Sequence, residues 1–315
     1  MGDVLAGIHA TWEFDTDSVL IRFERGIRTP RLFQSLRERR VPHAALSSVT
    51  LTPGKRGTVV LRAVPRPGAD PLLEAAAGQL KDGCDPYRLV LPAERETLAE
   101  YYADELRARL GPDAAEPADR FLVAAPEAPM RFKAYDGRAS FDGDRISFRW
   151  FWTGASSEKW KAGDQTFPVT ELSGVEWRSP EAFEGYLRLV PRGLTPLAPP
   201  AGPPAAAPGA SLLTSAAPSA QPMAARPTRA DQDPAAVIFG LGYGPVHESL
   251  PFAAAVLESV RRRQPTPAAA ALTSTGRRDP ADIAERIRHL GELHQAGLVT
   301  DDEFSAKKAQ LLAEL

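Results

Sequence analysis

The sequence predicts an α+β protein with two tandem domains, each a curled antiparallel sheet closed by a C-terminal helix, followed by a small helical hairpin. The first observation behind this prediction is an internal repeat, because Leu61–Arg66 recurs 126 residues later as Leu187–Arg192 with five of its six residues unchanged. The second is that, within each repeat, the spacing of the apolar residues changes from a period of two, typical of strands, to the period of a helix. The third is a tail with two short amphipathic segments. A self-match at fixed spacing is evidence about architecture before any element is assigned.

The repeat extends back from Leu61. Across positions 41–66, nine residues are identical to those found 126 positions later. Farther back the offset is 127, where Phe14-Asp15-Thr16-Asp17 aligns with Phe141-Asp142-Gly143-Asp144. One added residue in the intervening loop accounts for this step. We therefore expect the two domains to have the same strand order.

Short β-branched and aromatic segments predict the strands of the first repeat. Val19, Ile21 and Phe23 form an apolar row with the period of two expected of a sheet with one face on a core. The polar residues before them suit a hairpin turn, and their counterpart in the second repeat contains Gly143, which can take a positive φ. The apolar row of the second repeat is Ile146, Phe148, Trp150 and Trp152. The strands predicted in the first repeat are residues 11–14, 19–23, 46–51, 58–64 and 87–91.

A helix follows the last strand of each repeat. In the first, it is predicted from Glu94 to Leu110, with its apolar positions at Leu98, Tyr101, Tyr102, Leu106 and Leu110, and Gly111-Pro112 ends it. The first domain is therefore expected to span residues 1–112.

A long segment rich in Pro, Ala, Gly and Ser interrupts the second repeat. Such a composition does not bury enough apolar surface to order itself, so we expect a disordered insertion at about 195–232. After it, Val237–Phe239 are expected to supply the last strand, and residues from about 249 to 263 the helix. Long insertions add little closure entropy. The second domain is therefore expected to span residues 125–263.

Residues 280–315 predict a helical hairpin, joined to the second domain by a flexible linker at 264–279. Asp279 and Pro280 suit the start of its first helix, and a capping box at Thr300–Glu303 begins the second. Units of this length rarely bury enough surface to be stable alone. We therefore expect the tail to pack on a protein partner or on other copies of the chain. Its apolar residues are Ile283, Ile287, Leu290, Leu293, Leu298, Phe304, Leu311 and Leu312.

Two resemblances accompany these patterns. The tail, with Ala296-Gly297-Leu298-Val299-Thr300, Glu303-Phe304 and Lys307-Lys308, resembles the SHOCT family, a short C-terminal domain attached to many unrelated bacterial proteins. This resemblance implies an accessory, oligomerising module without known catalysis. The duplicated body has the outline of a pleckstrin-homology-like domain and resembles an uncharacterised bacterial domain family of that superfamily. The second resemblance implies no functional residues.

Composition and charge argue against several classes of protein and of binding partner. The formal net charge is −2, so no global electrostatic attraction favours nucleic acid, and no nucleic-acid partner is expected. The single Cys84 cannot form an intramolecular disulfide, which favours a reducing, cytoplasmic compartment. The apolar runs are too short to span a membrane. The five His residues show no ligand spacing, so we expect neither a cofactor nor a metal.

One stretch of the chain is strongly basic. Between Arg22 and Arg40 there are seven Arg residues against two Glu residues. In pleckstrin-homology folds the open end near the first strands often holds anionic headgroups, so this stretch is a candidate contact for anionic lipid. The alternative is a solvated loop in an arginine-rich chain. The candidate contact residues are Arg28, Arg31, Arg37, Arg39 and Arg40.

The sequence therefore favours a non-enzymatic, cytoplasmic binding or scaffold protein, whose domains bind a partner and whose tail mediates oligomerisation or docking. The first alternative is a peripheral membrane protein that binds anionic lipid through the basic stretch. The second alternative, an enzyme, is disfavoured because no nucleophile, base or metal constellation is present. Gly240–Gly244 lacks the spacing of a phosphate-binding loop and is predicted to be a tight connection.

Overall fold

The computed structural model describes residues 3–193 and 229–263, which form four antiparallel sheets and five α-helices. The α+β prediction is confirmed at this level. Most of the predicted insertion lies outside the described residues, as do the linker at 264–279 and the hairpin at 280–315 with its eight named apolar residues. The domain boundaries stay predictions.

Two sheets and a helix make up the first half of the described chain. One sheet has the order β1 (Asp3–Ala6), β2 (Ala10–Phe14), β3 (Ser18–Phe23), β4 (Glu38–Pro42), and the other has the order β5 (Leu46–Pro53), β6 (Thr58–Pro65), β7 (Arg88–Pro92). The helices are α1 (Arg31–Leu36), α2 (Pro71–Ala76) and α3 (Glu96–Ala108). Both sheets and α3 contribute to one core, in which Trp12 and Leu61 are fully buried.

The described residues of the second half have the same order of elements, and the positions that correspond to α2 lie outside them. One of its sheets has the order β8 (Met130–Lys133), β9 (Gly137–Phe141), β10 (Arg145–Trp150), β11 (Gln165–Pro168). The other has the order β12 (Leu172–Arg178), β13 (Tyr186–Pro191), β14 (Ala236–Ile238). Its helices are α4 (Ser157–Ala162) and α5 (Val246–Arg262). Leu187 of β13 lies opposite Val237 of β14. The strand and helix predicted beyond the long insertion are therefore present.

Individual contacts recur between the halves. Arg62 binds Asp85 at 2.8 Å in the first half, and Arg188 binds Asp233 at 2.9 Å in the second. Each aspartate also accepts a hydrogen bond from the backbone amide two residues later. The ion pair in each half therefore ties the middle strand of the three-stranded sheet to the start of the last strand.

Several sequence predictions need correction. Leu98 and Tyr101 were expected on the buried face of their helix but are exposed. Small alanines complete that face instead, and the buried residues of α3 are Ala99, Tyr102, Ala103 and Leu106. Trp152 was expected in the core row of its strand, but β10 ends at Trp150 and the chain turns, which leaves Trp152 exposed. The short elements β1, β4, α1 and α2 were not predicted.

The two halves share a layer of helices. Helices α1 and α2 of the first half pack on α5, and Leu32 and Leu72 belong to the core of the second half. The side chain of Gln79 donates to the carbonyl of Trp177 at 3.0 Å and accepts from the amide of Ser179 at 2.9 Å. Helix α5 is therefore buried on most of its surface, whereas α3 keeps one polar, solvated face.

A buried hydrogen-bonded triad anchors α2. Arg39 of β4 donates to Oδ1 of Asp70 at 2.6 Å, and the hydroxyl of Tyr87 donates to Oδ2 at 2.8 Å. Asp70 also caps α2 by accepting from the amide of Leu72. Burial raises the pKa of Tyr87 well above its ordinary value, so its hydroxyl stays protonated and donates. The triad thus joins α2 to both sheets of the first half.

The triad makes a prediction about stability. Substitution Arg39→Met leaves the carboxylate of Asp70 buried without its cation, so we expect the free energy of unfolding to fall by about 3–5 kcal/mol. Urea denaturation followed by circular dichroism measures this loss. The matched control is Arg40→Met, which removes a neighbouring but exposed pair with Asp15 and should change stability by less than about 1 kcal/mol. Equal losses in the two variants would contradict the role given to the triad.

Candidate functional site

A cleft with a volume of about 390 Å³ opens where the two halves meet. The first half contributes residues 30–32, at the start of α1, and four residues between 79 and 84. The second half contributes four residues between 177 and 181, and the segment that joins β14 to α5. The volume lies in the range of small-molecule and peptide pockets. Neither half forms this cleft alone.

The loop Gly240–Gly244 forms one wall of the cleft. It is a tight connection, as predicted, in which the amide of Tyr243 donates to the carbonyl of Gly240 at 2.9 Å. Gly242 and Gly244 have φ angles of 78° and 63°, which glycine adopts without strain. A side chain at Gly244 would also collide with the ring of Phe239. This backbone holds Leu241 fully exposed at the mouth of the cleft.

The cleft is mainly apolar, with cations at its edge. Lys81 is paired with Glu181 at 3.1 Å, whereas Arg31 has no ion-pair partner within the described part of the chain. Burial lowers the pKa of His247, so this ring is neutral at neutral pH. The apolar lining residues are Leu32, Leu80, Trp177, Pro180, Leu241 and Val246. The cleft therefore suits an apolar ligand that carries an anionic group.

The only cysteine of the chain lines this cleft. Burial raises the pKa of the Cys84 thiol, and the charge of nearby Glu181 raises it further. A protonated thiol is a poor nucleophile. In residues 3–193 and 229–263, no hydrogen bond joins Cys84 to His247, and no group of three His, Cys, Asp or Glu side chains is placed to hold a metal ion. The described residues of the cleft thus offer binding groups without an activated nucleophile.

The structure separates the residues of the basic stretch. Arg28 and Arg37 are exposed on either side of α1, and neither has an ion-pair partner in the part of the chain that is described. Arg31 is exposed at the edge of the cleft. These three guanidinium groups remain available to an anionic surface.

The other two arginines are not available in the same way. Arg39 is buried in the triad with Asp70, so its assignment as a lipid contact is wrong. Its position in β4 turns it toward α2, away from solvent. Arg40 is exposed but is paired with Asp15 at 2.7 Å. Because successive side chains of a strand point to opposite faces of the sheet, the adjacent Arg39 and Arg40 lie on opposite sides of β4.

Sequence reasoning missed the cleft because its residues come from four separate segments. Trp177, Cys84 and His247 carry no local motif. One signal was present, since the glycine-rich loop has no counterpart in the first repeat, where β7 ends at Pro92 and no glycine follows before α3. This difference between the repeats marks the loop as a place to look for a site.

Comparison with protein families matches both parts of the chain. The model of a domain of unknown function, DUF4429, matches residues 12–107 and 139–257, which together exceed half of the chain. The model of the short C-terminal domain, SHOCT, matches residues 285–312. A search of curated proteins finds no match. Within the described residues, no helix has the length and apolarity needed to cross a membrane.

The raised pKa of Cys84 leads to a prediction about the rate at which this thiol is labelled. At pH 8 we expect a thiol-specific reagent to label the folded protein several-fold more slowly than the urea-unfolded protein, because less thiolate is present and access is restricted. The labelling rate should keep rising as the pH increases past the range in which a free thiol ionises. Release of the chromophore from a disulfide reagent reports both rates. Equal rates for the folded and unfolded chains would contradict the burial of Cys84.

Proposed function

The chain belongs to the DUF4429 domain family and ends in a SHOCT domain, and on this basis we propose that it is a non-enzymatic scaffold protein of the cytoplasm. In this proposal the body binds a protein partner in the cleft between its halves, and the tail joins copies of the chain. The observation that carries the proposal is the cleft, which both halves build and line mainly with apolar side chains.

We also propose that the two halves are copies of one pleckstrin-homology-like domain. The sequence match at an offset of 126 residues supports this, as does the common order of strands ending in a helix. The ion pairs Arg62–Asp85 and Arg188–Asp233 occupy matching positions. A duplicated binding domain often keeps its scaffold while its loops diverge.

The surroundings of the cleft support binding. Leu241 is fully exposed at its mouth, and Phe183 is largely exposed in the loop that also carries the lining residues Pro180 and Glu181. Exposed large apolar side chains beside an apolar cleft are typical of interaction sites. The pKa shifts of Cys84 and His247 arise mainly from burial, and neither group acts on the other. These features favour recognition over catalysis.

The tail supports a role in assembly. The SHOCT match covers residues 285–312, which are too few to bury a large core. Packing against the tails of other copies would supply the missing apolar contacts. Joined copies would also bind a multivalent partner more tightly, because every attached body raises the effective concentration of the next.

Truncation after Arg263 tests the scaffold proposal. We expect the mass measured by light scattering to fall from a multiple of the chain mass to that of a single chain, because the segment that joins the copies is removed. Circular dichroism should show that the sheets are retained. A full-length protein that is already monomeric at micromolar concentration would overturn the assembly role of the tail.

The structure favours one second candidate, a peripheral contact with anionic membranes. In the loop between β3 and α1, Ile27 is fully exposed between Arg25 and Arg28, which are also exposed. An apolar tip flanked by cations suits the interface of an anionic bilayer, where a surface Arg contributes about 1 kcal/mol. This loop, which includes Arg28, replaces the buried Arg39 as a candidate contact.

Vesicle sedimentation tests this candidate. The variant Arg25→Glu plus Arg28→Glu should bind phosphatidylserine-containing vesicles at least about thirtyfold more weakly than wild type, because two surface cations of about 1 kcal/mol each are lost. The matched control is Arg131→Glu plus Arg138→Glu, which makes the same charge change on exposed positions of the second half. Binding that is weak in wild type and indifferent to phosphatidylserine would remove the membrane candidate.

A further inference from the structure

The two halves present different chemistry at the same end of the fold. In the second half this end carries a cluster of aromatic side chains, here called the aromatic face: Tyr135, Phe151, Trp152, Trp160 and Tyr243. The first half has other residues at the matching positions, which for Tyr135, Trp152 and Trp160 are Ile8, Arg25 and Gln34. One copy therefore offers rings to solvent where the other offers an arginine.

The aromatic face contains two ring pairs on neighbouring segments of the chain. Trp152 and Trp160 pack edge to face with ring centroids 5.1 Å apart, and Tyr135 and Tyr243 do so at 6.1 Å. The segments adjoin because the amide of Phe151 donates to the carbonyl of Asp136 at 2.9 Å. The Nζ of Lys133 lies 5.0 Å from the ring centroid of Tyr243 and 5.5 Å from that of Phe151.

A buried ion pair holds the face in place. The Nζ of Lys159 donates to Oδ2 of Asp136 at 2.5 Å, and both side chains are almost fully buried. Asp136 follows Tyr135 in the chain, and Lys159 precedes Trp160. The other carboxylate oxygen of Asp136 accepts from the amide of Ile238 at 3.0 Å. The pair therefore fixes α4 against the turn before β9, and with it the rings at both places.

The exposure and charge of the face indicate its ligand class. Trp152 is 76% exposed and Trp160 is 49% exposed, values far above those of core aromatics. Lys133, the cation within the face, already lies over two rings. Exposed Trp and Tyr rings suit proline-rich sequence, whose polyproline helix is preformed and lays flat apolar rings against aromatic side chains.

The chain itself contains such a sequence. Residues 196–208 include two PxxP motifs, Pro196-Leu197-Ala198-Pro199 and Pro200-Ala201-Gly202-Pro203. In a polyproline helix, prolines three residues apart lie on one edge, about 9 Å apart. The described chain resumes at Arg229, and Asp231 and Asp233 lie close enough to Lys159 to interact electrostatically with it. The chain that follows the proline-rich sequence thus rejoins the body near α4, which carries Trp160.

We propose that the aromatic face is a binding site for proline-rich sequence and that its occupant is the segment 196–208 of this chain. The proposed ligand of the aromatic face differs from the partner of the cleft, although Tyr243 lines both. Binding could occur within one chain or between two copies, and the contact chemistry is the same in both. The proposal assigns the aromatic residues of the second half a function that the first half lacks.

Fluorescence anisotropy with a labelled peptide of residues 194–208 tests the proposal. The receptor is the full-length chain in which the prolines of the segment are replaced by alanine, so that its own segment does not compete: Pro196, Pro199, Pro200, Pro203, Pro204 and Pro208. We expect saturable binding to this receptor and weaker apparent binding to wild type. A peptide with alanine at every proline should bind at least about tenfold more weakly.

The face itself is tested with Trp152→Ala plus Trp160→Ala in the same receptor. Because both rings are exposed, the variant should keep its unfolding transition while its peptide affinity falls at least about tenfold. The matched control, Leu98→Ala plus Tyr101→Ala, removes exposed apolar side chains from α3 and should leave affinity unchanged. If the double variant unfolds, Trp152→Ala alone replaces it.

Two results would overturn the proposal: equal affinity for the proline and alanine peptides, or unchanged affinity after loss of the exposed tryptophans. Dilution of the wild-type chain then locates the occupant. Competition that persists at low protein concentration places the segment on its own chain or on a copy joined through the tail, and competition that disappears places it on a free second copy. The two overturning results do not depend on the tail, so failure here is distinguishable from failure of the scaffold proposal.

Discussion

The buried pair between Arg39 and Asp70 is the interaction on which the arrangement of the two halves depends. An ion pair in a low-dielectric interior requires partners for all of its charges, and Tyr87 and the amide of Leu72 complete the set. The result is a short helix, α2, held firmly to the first half. Its outward face then covers α5 of the second half, and the cleft exists because these elements meet.

Each half contains a buried ion pair, but the two pairs are not equivalent. Asp136 and Lys159 correspond to His9 and Phe33 in the first half, and Arg39 corresponds to Gln165 in the second. The two halves therefore share the strand order and the ion pairs Arg62–Asp85 and Arg188–Asp233, and differ in the buried pairs that support their loops. One pair orients a helix toward the other half. The second positions the rings of the proposed binding site at the surface.

The terminal helices of the two halves, α3 and α5, lie in different environments. Helix α3 keeps a polar face in solvent, whereas α5 is apolar around most of its circumference. A helix of the second kind is stable only when covered on several sides, and α1 and α2 provide this cover. The halves are therefore dependent on one another, and ligands that bind at their junction contact both.

The amino-acid sequence by itself determined the longer strands of the first half, the repeat and the terminal helix of each half. Alternation at Val19, Ile21 and Phe23 and the shared motif at Leu61–Arg66 are local signals, because periodicity records which residues face a core. The periodicity does not show which of the two cores a given residue packs into. Only the tertiary structure showed that Arg39 is buried, because its partner Asp70 lies 31 residues away. The cleft and the aromatic face likewise join distant segments, and their contacts arise from the packing of one half on the other and of loops on a finished sheet.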